Sequence, residues 1–365
     1  GVPKLPTVTE VEGLARLTPQ QLEIKWLRGR AFDALWRLEG VIEPLEAPAI
    51  ELLIKSDLAL ANVREAIGLG EDWQLSGAGR LEAVCRGPLR PRALLDCLTR
   101  GEVRDASIVS AAAAPLTDAT GRFDYDLLAR RIDLHELTVR LGGQPLAVHG
   151  SFAHTQPAQL DLAATGAVDL QAASSWLPAS ANRPLATGLI GVDLAIQGRW
   201  PKPALTGRIE LRRVNVQVPG LAQPLENIQG TAEFAESRME LRELTMRLAG
   251  KPLRLAGTAA QLDAVPVFDA TLAFPDGALR CLGQWRPQRV AIDRCDLTLP
   301  ASRLQLSGEL SRDLLGPSQL AVRGTLELID MARVPLADFK TFDPATIRGP
   351  LDVNLRYQGR LNDWS

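Results

Sequence analysis

The chain repeats itself, and that constrains its fold more than any other feature of it. From Leu137 the run LTVRLGGQPLAVHG ends at Gly150; from Leu244 the run LTMRLAGKPLRLAG ends at Gly257; the two share eight of fourteen positions. The likeness extends upstream, where PLTDATG ends at Gly121 and PLENIQG at Gly230. CDLTLPASRLQLSG, from Cys295 to Gly308, keeps only the pattern, and LEIKWLRGRAFDALWRLEG, from Leu22 to Gly40, is a degenerate fourth copy. A second phrase recurs in GAGRLEAVCRG, GLIGVDLAIQG and GPLDVNLRYQG, ending at Gly87, Gly198 and Gly359. The spacings fit a unit of roughly 50 to 55 residues, the signature of stacked units that bury their faces only against neighbours. Repeats are placed near 10–57, 98–165, 205–274 and 275–325, within one continuous body.

The side-chain period says what the units are made of. Leu137, Val139, Leu141, Leu146 and Val148 alternate with Thr138, Arg140, Ala147 and His149, a period of two that only a strand turns into one oily face. The same phase runs through Leu244, Met246, Leu248, Leu253 and Leu255, and through Leu297, Leu299, Leu304 and Leu306. Gly142 with Gly143, and Gly250 with Pro252, sit where a hairpin needs unusual dihedrals. Upstream, the phase slips by one residue in each copy, which predicts a bulge or corner near His135, Arg242 and Asp293. Helices are few and short: segments from Ala59, Leu170 and Leu328 have mixed spacing and read as one recurring cap. In them Gly68, Pro178 and Phe339 precede the closing glycines by 19, 20 and 20 residues.

Charge is nearly balanced, at −2 over 365 residues, and the 41 basic residues are scattered instead of forming the basic stripe a nucleic-acid binder needs. The three histidines His135, His149 and His154 have no nucleophile elbow around them, and no phosphate-binding glycine loop occurs, so no catalytic residue and no cofactor is assigned. Cys85 and Cys97, and Cys281 and Cys295, lie on segments that could be neighbouring strands; two sequential disulfides and free core thiols both fit. Without a C-x-x-C pair or a nearby histidine, no metal site is assigned. No stretch reaches the 18 to 20 apolar residues that span a bilayer, and the chain reads as a soluble piece of a longer protein.

The order of strand, Gly198, Pro203 and Gly207 in LAIQGRWPKPALTGRIEL, then VNVQVPGLAQPLENIQG and MELRELTMRLAGKPLRLAG, resembles the AsmA-like superfamily, in particular its TamB branch, from about Leu58 onward. The resemblance implies a mainly β fold: an elongated, repetitive antiparallel β-sheet curled into an open groove (a β-taco) with an apolar interior and a few short helices. It implies a periplasmic protein anchored in the inner membrane of a Gram-negative cell, carrying phospholipids between inner and outer membranes. It also implies a link to outer-membrane protein assembly through a partner of the barrel-insertase family. The fourteen apolar residues above would then line the groove and meet acyl chains. About 25 to 30 strands at roughly 4.8 Å would give a body of order 120 to 140 Å. The competing expectation is a scaffold with a filled core that binds barrel strands by edge pairing. The two diverge at Leu146, Leu255 and Leu306, which would be open in one and packed against protein in the other.

Overall fold

The computed structural model describes residues 8–31, 33–64, 70–90, 94–111, 113–176, 185–218, 223–311, 316–327, 330 and 349–360. The chain is 78% strand and 4% helix, and its 21 strands belong to one antiparallel sheet that is not closed into a barrel. By compactness it divides into two units, residues 1–176 with 195–203, and residues 177–194 with 204–365.

The first unit holds β1 (Val8–Leu17), β2 (Leu22–Ala31), β3 (Ala34–Glu43), β4 (Ala49–Ala59), β5 (Trp73–Pro88), β6 (Asp96–Ser110), β7 (Ala113–Asp126), β8 (Arg131–Leu141), β9 (Gln144–Ala153) and β10 (Gln159–Asp169). Each pairs antiparallel with the next in sequence. The strand β11 (Leu185–Arg199) is divided between the units. The second unit continues with β12 (Ala204–Gln217), β13 (Leu225–Glu236), β14 (Arg238–Leu248), β15 (Lys251–Ala260), β16 (Val267–Phe274), β17 (Gly277–Trp285), β18 (Arg289–Thr298), β19 (Arg303–Ser311), β20 (Pro317–Glu327) and β21 (Pro350–Arg360), again paired in order. Among the described residues there are twenty-one strands, against an expectation of 25 to 30. They are longer than the repeat suggests, up to 16 residues in β5, because bulges absorb phase slips that would otherwise end a strand.

Those bulges fall where the phase slips predict. Register shifts separate Leu134 from Leu137, Leu241 from Leu244, and Ile292 from Cys295. In each case the residue before the shift faces the glycine that closes the repeat: Leu134 faces Gly150, Leu241 faces Gly257, Ile292 faces Gly308. A Cβ at Gly150 or Gly308 would lie 2.0 Å from the carbonyl oxygen of the following strand, Asp161 or Gln319. Bulge and glycine together make a crease where backbones approach too closely for any side chain.

The hairpin between β8 and β9 turns through Gly142 (φ 59°) and Gly143 (φ 78°), and that between β14 and β15 through Ala249 (φ 51°) and Gly250 (φ 77°). Positive φ at both central residues makes each a type I′ turn, whose twist matches the flanking strands. Pro252 is not a turn residue: it lies in β15 opposite Arg247, so Ala249 takes the strained position expected of it.

Among the described residues the helical elements are a 3₁₀ turn, Leu60–Val63, and α1 (Leu170–Ser175). Asp169 caps α1 by accepting the Ala172 amide (2.9 Å). Ser175 Oγ accepts the Ala114 amide (2.7 Å) and Trp176 Nε1 donates to the Ala114 carbonyl (3.0 Å), fixing α1 across the start of β7. Trp176 also packs on Trp73, ring centroids 5.3 Å apart. The third expected cap, from Leu328, lies outside the described residues apart from Asp330. Gly68 and Pro178 also lie outside them.

Candidate functional site

Antiparallel registry carries the apolar phase of each strand onto the next, so the oily residues form rows across the sheet. In the second unit one row runs Leu244, Leu255, Leu272, Leu279, Leu297, Leu304 across β14 to β19. Beside it runs Cys281, Cys295, Leu306, Val322, Leu355. In the first unit a row passes from Leu27 through Leu38, Ile54, Ala83, Thr99, Tyr125, Ile132 and Phe152 to Leu160. Leu137 faces Val148, and Val139 faces Leu146. The candidate lining residues are therefore cross-strand neighbours on one face. Leu272, Leu279, Ile132 and Phe152 belong to the same face and show the same alternation, but they stand outside the matching repeats that drew attention to the others. Leu299 is buried, yet in the turn between β18 and β19 and not in a strand; its amide donates to the Ser302 carbonyl (2.9 Å).

Both disulfides are formed, Cys85–Cys97 and Cys281–Cys295, each joining directly opposed residues of adjacent strands with Cα atoms 4.1 Å apart. They settle the alternative left open by the sequence in favour of bonds. Both stand on the apolar face: Cys85 and Cys97 cluster with Ile50, Ile42, Leu52 and Leu95, and Cys295 opposes Leu306.

The opposite face is charged, and many of its charges are paired. Lys55 meets Glu82, Arg80 meets Asp57 and Arg86 meets Glu51, each across adjacent strands at 2.7 to 3.1 Å. Arg280 binds Asp269 at 2.7 Å, and its hydrogen bond holds that carboxyl below the ordinary carboxylate range. The Arg212 hydrogen bond does the same for Glu210. These exposed pairs keep the outer face wet and set strand neighbours more than they stabilise the sheet.

What covers the apolar face differs along it. Leu244, Met246, Leu248 and Leu253 are buried; Leu146, Leu255 and Leu306 are half-buried, as are Leu137, Val139, Leu141, Val148, Leu297 and Leu304. The chain exposes 23104 Å². Two compact bodies of half its 39.5 kDa mass would together expose roughly 17,000 Å². Only the 3₁₀ turn and α1 are regular elements outside the sheet among the described residues. Among the described residues no cluster of metal-ligating side chains occurs, and no helix is long and apolar enough to cross a membrane.

Comparison of the chain with protein-family models, with curated proteins and with solved structures finds no match.

Proposed function

We propose that this protein is a non-enzymatic conduit whose apolar face carries the acyl chains of phospholipids between membranes. One observation carries the reading: rows rich in Leu, Ile, Val and Phe cross many consecutive strands on one face, and most of their members are only half-buried. Covering such a face with hydrocarbon gains about 25 cal/mol per Å², or roughly 0.8 kcal/mol per CH₂. A lining without charged interruptions lets a tail slide without a large barrier at any step. Two disulfides on that face fit an oxidising compartment such as the periplasm, and the resemblance to AsmA-like proteins points the same way. Inner-membrane anchoring and a role in outer-membrane protein assembly belong to the same proposal.

A specific feature favours a second reading. The strand β1 is exposed along its whole length, presents Val8, Val11, Leu14 and Leu17, and pairs with β2 alone among the described strands. Such an edge could accept an extended strand of a client protein.

Mass spectrometry of protein purified without detergent separates the two. Co-purifying phospholipid in stoichiometric amounts is the expected result, and lipid-free protein from repeated preparations would overturn the conduit.

A further inference from the structure

The two rims of the sheet in the first unit are chemically unlike. One carries the 3₁₀ turn and α1, with Asp33, Glu71 and Asp72 exposed beside them. On the other, backbone amides just after a strand donate to the neighbouring turn or strand. The amide of Leu89 donates to the carbonyl of Pro48 (2.8 Å), Leu127 to Cys97 (3.0 Å), His154 to Arg130 (2.8 Å) and Trp200 to Ala158 (2.9 Å). Each donor is the first residue after a strand, so its side chain is held at a set place on the rim. Trp200 is nevertheless 60% exposed, and Leu128, beside Leu127, 59%. The described turns of this rim thus carry exposed apolar side chains, one of them on a backbone-clamped residue.

Beside them stand cations. Arg90 follows Leu89, Arg130 closes the turn after β7, and Arg199 and Lys202 flank Trp200; all four are exposed. No ion pair or side-chain hydrogen bond engages any of the four among the described residues, whereas many arginines on the outer face, Arg28, Arg80, Arg86 and Arg122 among them, are ion-paired. The nearby acids are otherwise placed: Asp126 accepts the Ala129 amide (2.8 Å), Asp96 opposes Arg86, and Glu46 sits one turn further on. Successive turns on one rim are two strands apart, about 10 Å, so the stretch from Arg90 to Lys202 spans about 30 Å.

We infer that this stretch of rim is a rail for phosphate groups of lipids whose tails lie on the apolar face. Guanidinium and ammonium donors take the phosphodiester through charge-assisted hydrogen bonds. The clamped Leu and Trp side chains extend the apolar wall to the level of the glycerol backbone, where amphipathic rings are favoured. The rail rests on the conduit reading and adds selectivity to it: phosphate-bearing lipids are held at one rim, and uncharged lipids with the same tails are not.

The test compares fluorescent phosphatidylglycerol and diacylglycerol of identical tails, bound to the whole chain and to the combined variant Arg90→Gln, Arg130→Gln, Arg199→Gln, Lys202→Gln. The wild type is expected to prefer phosphatidylglycerol about tenfold at low salt and less as salt rises. The variant should lose that preference while binding diacylglycerol as before; these exposed positions tolerate substitution. A variant that keeps the preference, or a wild type that binds both lipids equally, overturns the rail alone. A wild type that binds neither removes the conduit and the rail with it. Complete displacement of phosphatidylglycerol by millimolar inorganic phosphate would show a site for free anions, and would also overturn the rail.

Discussion

The hairpins β8–β9 and β14–β15 are near copies in sequence and in register, and differ in how far the protein covers them. Both have a bulge two residues before the first leucine, both turn through two positive-φ residues, and both pair the apolar phase across strands. Yet Leu253 is 3% exposed and Leu244 7%, while Leu137, Val139, Leu146 and Val148 are all half-buried. A local pattern is enough to make the strand, the crease and the oily face; what lies over that face is set elsewhere in the molecule. If the face is a lipid surface, the half-buried copy presents the working form and the buried copy a closed one.

The largest effect should come from placing a charge on each wall. Leu253→Asp buries a carboxylate without a partner and should destabilise the second unit by about 3 to 5 kcal/mol. The matching Leu146→Asp stays partly solvated and should cost about 1 kcal/mol or less, while reducing bound lipid. Urea unfolding of both variants, with lipid analysis of Leu146→Asp, checks the pair; equal losses of stability would erase the distinction between the two walls.

The disulfides come next, one in each unit. Closing loops of 12 and 14 residues corresponds to about 3 kcal/mol each on loop entropy alone. Replacing Cys85 and Cys97 by Ala should lower the first unit's unfolding midpoint, and replacing Cys281 and Cys295 that of the second. Hydrogen exchange resolved by segment would show whether each loss stays in its own unit.

How much of this was legible in the residues alone follows from the range over which each feature is decided. The strands of the repeats, their bulges near His135, Arg242 and Asp293, and their shared apolar phase depend on neighbours within a few positions, so period and phase reveal them. Four of the six leucines in the row from Leu244 to Leu304 are legible from the repeats, since Leu272 and Leu279 join it only through registry between strands of unlike sequence. Pairing of the cysteines was undecided because an apolar thiol and a cross-strand bridge occupy the same kind of site, and only register brings Cys281 opposite Cys295. The rim of clamped turns left no trace in any hydrophobic period: it arises from amides of single turn residues reaching back to the preceding turn or, for Leu127, to Cys97 in β6.

The crease glycines sharpen the comparison at a smaller scale. A Cβ at Gly150 would lie 2.0 Å from the Asp161 carbonyl oxygen with φ at +119°, whereas at Gly257 the nearest carbonyl oxygen, that of Asp269, is 2.6 Å away and φ is not in the left-handed range. Both substitutions to Ala force backbone to move, but only the first adds dihedral strain. Gly150→Ala should therefore cost about 1 to 2 kcal/mol more than Gly257→Ala in chemical denaturation. A reversed order would mean that the crease in β15 is the tighter of the two.

The outer face should give the smallest effect, as a solvated layer must if the lining dominates. The Asp269 carboxyl is lowered by its hydrogen bond from Arg280, against a smaller opposing effect of burial. A carboxyl lowered in the folded state adds stability that is complete above its unfolded pKa, about 3.9, and is lost as pH falls through the folded value. With the side chain 37% exposed, solvent screening limits this to no more than about half a kcal/mol. Unfolding free energies at pH 7 and pH 3 should differ less in Asp269→Asn than in the wild type by that small amount. A gap comparable to the one between Leu253→Asp and Leu146→Asp would mean that the ion-paired face, and not the apolar one, sets the stability of the sheet.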